Sequence, residues 1–402
     1  MAILVIPIFK HWRGSILKRR VEACVFSLAA GIGLLAAGMG NADDIPFFVS
    51  RDVPDYRALM TVREADRPTN THLRSVLHHH GWTRVEEQLD HGTGISYGGF
   101  FDNVLLSTWK ARDGEDFTSI SLTKVVPLRS GIRVKNTNEA GTAIHPAGEA
   151  CNWWEVVDKS ELKGTYGPFS YSCLSRDGIE VATKQLIKRK EPYGDTQLVK
   201  LKRTSVAESE VRPPKRLFDP AFWLKPLRNY PNRPANLPDF EARMIGDRSE
   251  KRVLRHYPWR FEEERSKDGR TVFSVWNMLD DQRLTVRYSK NERHFEAHRS
   301  SIDFRPSSNL IDVEVGPTDL KKSDRYLGES CAWFETTHLA DAGRSECLTP
   351  DGVALKVEFS SWLGPDENYT AVEIKRRPVE IKEMIPPSEL TDPSSWGFTV
   401  SD

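Results

Sequence analysis

Beyond the first 42 residues, hydrophobic and polar positions alternate with a period of two far more often than they recur at helical spacing, which predicts short strands. Val104 to Lys110 is one such run. A turn signal at Arg112-Asp113-Gly114 follows, and then Phe117 to Val125, where Phe117, Ser119, Ser121 and Thr123 alternate with Thr118, Ile120, Leu122 and Lys124. That arrangement predicts a hairpin. Arg283 to Tyr288 (RLTVRY) repeats the pattern, a Lys267-Asp268-Gly269 turn precedes Thr271 to Trp276, and Ser289 to Glu292 separates the next strand. Asp177-Gly178 and Asp351-Gly352 mark one further hairpin each. The fold class is therefore mainly β (α+β), with few helices and antiparallel meanders.

The N-terminal 42 residues read differently. Lys10, Arg13, Lys18, Arg19 and Arg20 precede an apolar run from Ala23 to Met39, closed by Gly40-Asn41-Ala42 and an acidic Asp43-Asp44. This is the order of a secretory signal peptide (residues 1–42), cleaved between Ala42 and Asp43. The run is short for a bilayer span and carries Gly31, Gly33 and Gly38, so no stable membrane span is expected in the mature chain.

Comparison of the chain with itself exposes a repeat. Residues 199–223 (VKLKRTSVAESEVRPPKRLFDPAFW) and 372–396 (VEIKRRPVEIKEMIPPSELTDPSSW) are identical at 11 of 25 positions without a gap. Upstream, Gly148-Glu149-Ala150-Cys151-Asn152-Trp153 matches Gly328-Glu329-Ser330-Cys331-Ala332-Trp333, and Cys173-Leu174-Ser175-Arg176-Asp177-Gly178 matches Cys347-Leu348-Thr349-Pro350-Asp351-Gly352. Leu77 to Gln88 resembles Leu254 to Arg265, and Pro54-Asp55-Tyr56 resembles Pro238-Asp239-Phe240. The expected organisation is a first copy at 54–223, a Pro-rich linker at 224–237 and a second copy at 238–396.

Composition refines this picture. The 402 residues hold 57 basic and 57 acidic side chains, and removing the leader leaves a mildly acidic chain. No nucleic-acid partner is expected without a basic excess. Of five cysteines, Cys24 lies in the leader, and each copy owns two of the rest. The economical pairing is Cys151 with Cys173 and Cys331 with Cys347, structural bridges in an oxidising compartment.

Candidate chemistry is sparse. His78-His79-His80 suggests a metal, but three successive strand residues point to alternating faces, and the second copy keeps only His256 nearby. His294 and His298 lack the His-Glu-x-x-His order and read as surface residues. Glu86-Glu87 and Glu262-Glu263-Glu264 offer carboxylates with no partner base, and a solvated sheet edge accounts for them. No nucleophile elbow, phosphate loop or dinucleotide fingerprint occurs. No catalytic residue, metal or cofactor is expected, and the protein reads as non-enzymatic. Trp82/Trp259, Trp153/Trp333 and Trp223/Trp396 recur at matching places as core anchors, or as the lining of an apolar cavity.

The leader, the Asp-Tyr/Phe-x-Ala opening, the Trp-x-x-x-Glu-Glu strand, the Gly-Glu-x-Cys-x-Trp and Cys-Leu-Ser/Thr-x-Asp-Gly hairpin and the closing Pro-Pro-x-x-Leu-x-Asp-Pro together resemble the periplasmic half-barrel group of outer-membrane lipoprotein carriers (LolA) and related lipid-binding domains. The resemblance implies two tandem curved sheets of half-barrel type around an apolar cavity, with a periplasmic location. It implies a hydrophobic ligand, a lipid or a lipidated protein. Two other classes stand beside it: an envelope protein-interaction or stress-sensing module with a protein partner, and a hydrolase with an unrecognised site. No arginine in this chain matches the carrier's functional arginine.

Overall fold

The computed structural model describes residues 53–64, 71–90, 92–99, 104–111, 119–125, 132–136, 142–144, 147–158, 168–187, 191–230, 232, 234, 237–290, 292–300, 318–339, 342–361 and 367–401. The expected leader, its Ala42–Asp43 cleavage point and the Arg112-Asp113-Gly114 turn lie outside them. The chain divides into two compact units. The N-terminal unit takes its described residues from Ser27–Lys225, Leu284–Ser301 and Pro386–Asp402, the C-terminal unit from Pro226–Arg283 and Ile302–Ile385.

In the N-terminal unit the strands are β1 (Tyr56–Glu64), β2 (Thr71–His79), β3 (Trp82–Leu89), β4 (Gly92–Gly99), β5 (Val104–Ala111), β6 (Ser119–Val125), β7 (Ile132–Asn136), β8 (Thr142–Ile144), β9 (Ala150–Asp158), β10 (Pro168–Ser175), β11 (Glu180–Ile187) and β12 (Glu191–Arg203). The C-terminal unit begins with β13 (Phe240–Gly246), β14 (Ser249–His256), β15 (Trp259–Ser266) and β16 (Thr271–Asn277). β17 (Asp281–Tyr288) spans the division, and β18 (Glu292–Ser300) belongs to the N-terminal unit. β19 (Thr318–Tyr326), β20 (Glu329–Leu339), β21 (Ala342–Leu348), β22 (Ala354–Ser361) and β23 (Glu367–Lys375) complete the C-terminal unit.

Neither unit is a plain meander. β1 pairs with β2 on one side and with the late strand β12 on the other. The order in the N-terminal unit is thus β9-β10-β11-β12-β1-β2-β3-β4-β5-β6, all antiparallel. β7 and β8 flank β9, and β18 flanks β6. The C-terminal unit repeats the plan as β19-β20-β21-β22-β23-β13-β14-β15-β16, with β13 seated between β14 and β23. Adjacent pairings follow turn signals; the first-to-last pairing does not.

Curvature enters at matched irregularities. The β1–β12 register shifts between Leu59 and Met60, and the β13–β23 register shifts between Arg243 and Met244. A second shift follows Cys173 in one unit and Cys347 in the other. An extra residue in one strand bends it and increases its twist, which turns a flat sheet toward a half-barrel. Tight turns close the hairpins after the second cysteines, and Gly178 and Gly352 there adopt φ of 82° and 73°, a left-handed conformation that glycine takes without a Cβ clash.

Each unit has its own core. Tyr56, Ala58, Met60, Val76 and Val85 gather with Cys151, Trp153 and Cys173 in one, and Phe240, Ala242, Met244 and Val253 with Cys331, Trp333 and Cys347 in the other. All six recurrent tryptophans are buried. The closing motifs fold as short helical turns, Pro220–Trp223 and Pro393–Trp396. Their Asp219 and Asp392 carboxylates accept the backbone N–H groups of Ala221 and Ser394, and the Trp223 and Trp396 indoles donate to the Leu217 and Leu390 carbonyls at 2.8 and 2.9 Å. A buried indole N–H needs such an acceptor.

Cys151 is bonded to Cys173 and Cys331 to Cys347, at sequence separations of 22 and 16. Closing loops of that length stabilises the native state by about 3 kcal/mol in the chain-entropy account. Replacing both cysteines of either pair by alanine is expected to lower the unfolding free energy by about that amount. Melting of wild type and double variants by circular dichroism checks this, with and without reductant.

Candidate functional site

Three residue constellations recur in matching places, and each is assembled from segments far apart in sequence. The first is an arginine clamp at the end of the late strand. Arg203 donates through Nε to Asp177 Oδ2 at 2.5 Å, and through Nη1 and Nη2 to the Glu149 carboxylate at 2.8 and 3.0 Å. Arg376 does the same to Asp351 at 2.6 Å and to Glu329 at 2.9 and 2.6 Å. The arginine ties β12 or β23 to the hairpin turn and to the strand carrying the first cysteine. Bidentate charge-assisted bonds of this kind are the strong ones. They hold the carboxyls of Glu149, Asp177, Glu329 and Asp351 below their ordinary range.

The second is an aspartate–histidine node. Asp55 Oδ2 receives the Val206 N–H at 3.1 Å and lies 2.8 Å from His79 Nδ1. Asp239 Oδ2 receives the Val379 N–H at 3.2 Å and lies 2.9 Å from His256 Nδ1. Burial opposes ionisation of Asp55, but the His79 and Val206 bonds prevail and keep its pKa low. Each node joins the segment before the first strand, the end of the second and the chain leaving the last.

Buried charge on the core face is the third. Arg74 on β2 stands opposite Glu87 on β3, and the two form an ion pair with both residues buried. At the matching ladder position Lys251 faces Glu264, lying 3.8 Å from it and 3.3 Å from Glu262. Arg260 sits 2.9 Å from Glu262, and Arg344 2.7 Å from Glu346. Burial alone would raise the Glu262 pKa, yet Arg260, Lys251 and Arg344 hold it at about 2. In the N-terminal unit burial raises the pKa of Glu180, against a hydrogen bond from Ser172 and the charge of Arg74. Directly opposed residues share a face, so these charges lie among Met60, Val76, Met244 and Val253.

Several sequence expectations are corrected. Glu87 and Glu263 are buried and paired, and β3 and β15 are interior strands, so a solvated edge does not describe them. The alternation itself holds, since Glu86 faces away and receives Arg84 at 2.7 Å. His294 is buried on β18 and is not a surface histidine. His78 is buried against Tyr56, with Nδ1 3.2 Å from the Pro54 carbonyl, and burial lowers its pKa. His80 is not a strand residue but the first residue of the β2–β3 turn, with φ of 44°. The His79 and His80 rings meet at 4.4 Å, and one ligand atom each from Asp55, His79 and His80 lies within 4.8 Å of the others.

The outward faces carry apolar side chains. Val199, the extra residue of the β12 bulge, is 48% exposed, and Val372, its counterpart on β23, is 43% exposed. Leu73 on β2 and Ile245 on β13 are exposed to a similar degree. Each lies within one strand of the bulge on its own unit's outer face.

No family model matches the sequence, and no curated protein matches it. Among solved structures the chain is similar to one described as the crystal structure of MucB, at TM-score 0.27 and 10% identity over 65% of this chain and 94% of that one. It is similar to the complex structure of Pseudomonas aeruginosa MucA/MucB at TM-score 0.28 and 12% identity, over 83% and 97%. An uncharacterized conserved protein from Thermus thermophilus aligns at TM-score 0.28 and 16% identity, over 41% and 90%. At such scores the likeness is loose and assigns neither partner nor ligand to this chain.

Two outcomes follow from the charges. Removing one member of the buried pair, as in Glu87→Gln, is expected to cost about 3 kcal/mol, whereas Arg74→Met with Glu87→Leu recovers most of it; a double-mutant cycle by urea unfolding measures both. The clamp carboxyls have lowered folded pKa values, so their contribution is complete above about pH 4.5 and is lost as pH falls through the folded values. Arg203→Gln with Arg376→Gln should lower the urea midpoint at pH 7 and flatten the fall in stability between roughly pH 4.5 and 2. An unchanged acid slope in the double variant contradicts the clamp.

Proposed function

We propose that the chain is a non-enzymatic exported protein, built of two duplicated half-barrel-like units, that docks a protein partner of the cell envelope. The observation that carries this is the inverted placement of polarity around the central strands. Charged pairs occupy the core face at Arg74/Glu87 and Lys251/Glu264, while Val199, Leu73, Val372 and Ile245 face outward. An acyl chain laid against this face would meet charges set among the apolar side chains, whose desolvation is already costly, and would gain less than on a wholly apolar wall. Apolar groups on a hydrogen-bonded sheet face suit a folded partner, where aliphatic anchors enter pockets and a polar rim surrounds them.

Duplication is supported by the 11 matched positions of the closing segments and by the recurrence of bulges, clamps and indole bonds. Export is supported by the N-terminal charge and hydrophobicity pattern, and a periplasmic location by the two cysteine bridges. The non-enzymatic reading rests on how the shifted carboxyls are used: Glu149, Asp177, Glu262, Glu329 and Asp351 all neutralise cations of the scaffold. Carriage of a lipid or lipidated protein is the second reading, supported by the apolar core clusters within the curved sheets.

A photo-crosslinking residue placed at Val199 or Val372 in cells tests the proposal. One discrete protein adduct is expected, lost when the neighbouring exposed residue is replaced, Leu73→Asp for the Val199 probe and Ile245→Asp for the Val372 probe, in variants that melt like wild type. A stoichiometric acyl ligand in native mass spectrometry, with no adduct at either position, selects the lipid reading.

A further inference from the structure

The two aspartate–histidine nodes differ in the two residues that follow the histidine. After His79 the chain continues with His80 and Gly81, whereas after His256 it continues with Tyr257 and Pro258. Among the described residues, the N-terminal unit alone therefore brings a second imidazole to the node. We infer that Asp55, His79 and His80 form a binding site for a divalent transition ion of zinc type, with two imidazole nitrogens, one carboxylate oxygen and a solvent-facing fourth position.

Ligand chemistry and geometry both support the assignment. Imidazole and carboxylate suit Zn²⁺, with Cu²⁺ and Ni²⁺ as competitors. Bonds of about 2.0–2.2 Å place tetrahedral ligand atoms roughly 3.3 Å apart. Asp55 Oδ2 and His79 Nδ1 are already 2.8 Å apart, and the ligand atoms of all three residues fall within 4.8 Å of one another. Asp55 and His79 are partly buried and held by the ladder and by the Val206 N–H, which orients the carboxylate as a metal ligand requires. The exposed His80 ring is the member that has to shift. The alternation that bars successive strand residues from one ion applies to His78, which faces the core, and not to His80, whose φ of 44° places it in the turn. On binding, the ion takes the place of the proton between His79 Nδ1 and Asp55 Oδ2, and the imidazole takes up a proton at Nε2 from solvent as the Nδ1 proton leaves, so the ligand stays a neutral imidazole. The ion then joins the β2–β3 turn to the segment before β1. His79 shares the outward face of β2 with Leu73 but lies six residues along the strand from it, and ion binding there does not depend on the docking proposal.

Calorimetric titration of the chelator-treated mature protein with zinc chloride tests it. One equivalent is expected to bind, with a rise in the melting temperature. His80→Tyr, which copies the other unit and leaves the Asp55–His79 contact in place, should weaken binding at least tenfold and remove the thermal shift. His80→Asn, a residue that tolerates the left-handed turn, should do the same and guards against a folding defect in the first variant. Absence of saturable binding in wild type overturns the inference. So does one-equivalent binding that survives both substitutions, which would place the ion on other histidines.

Discussion

The pairing of each unit's first strand with its last is the constraint on which the rest depends. β1 meets β12, and β13 meets β23, across well over a hundred residues of chain. Loop closure makes such a contact entropically costly, and it must be rewarded after it forms. The reward is concentrated at one end. Asp55 and Asp239 accept the N–H groups of Val206 and Val379, just past the paired strands, while Arg203 and Arg376 anchor the same strand ends to Glu149/Asp177 and Glu329/Asp351. Without that register the bulges at Leu59/Met60 and Arg243/Met244 have no partner strand, and the curvature they impose is lost.

The same register determines what faces inward. With Met60 opposite Arg74 and Met244 opposite Lys251, a cation is delivered into each core beside a methionine. Its charge has to be matched there, since an unpaired buried ion is costly, and Glu87, Glu262 and Glu264 supply the match. Buried pairs contribute little net stability but penalise any alternative register, in which a lone charge would meet apolar neighbours. The outward Val199 and Val372 follow from the same bulges, because an extra residue in the strand presents one side chain away from the core. Specificity inside and an apolar surface outside thus have a common origin.

Much of the local structure was legible in the chain. Alternation located the β5–β6 hairpin and the buried Ile120 and Leu122, and the Asp-Gly turns located the hairpins after Cys173 and Cys347. The recurring blocks also contained the clamp residues: Glu149 and Glu329 precede the first cysteines, Asp177 and Asp351 form the turns, and Arg203 and Arg376 end the recurring Lys-Arg pairs. Matching blocks by similarity does not reveal that three of them converge. Pairwise retention of a charged residue in each block was the available signal. Glu87 shows the opposite limit, since an acidic residue on an alternating strand looks solvated until its ladder partner is known.

By itself, the sequence determined strand period, turn positions, the cysteine complement of each half and the closing tryptophan motifs, because these depend on neighbours within a few residues. Only the tertiary structure decided the β1–β12 and β13–β23 pairings, the attachment of β18 to β6, the burial of His294, and the meeting of Asp55 with His79 and His80. Those contacts join residues whose proximity follows from the order of strands in a sheet, and strand order is settled by long-range closure and charge matching that no local pattern encodes.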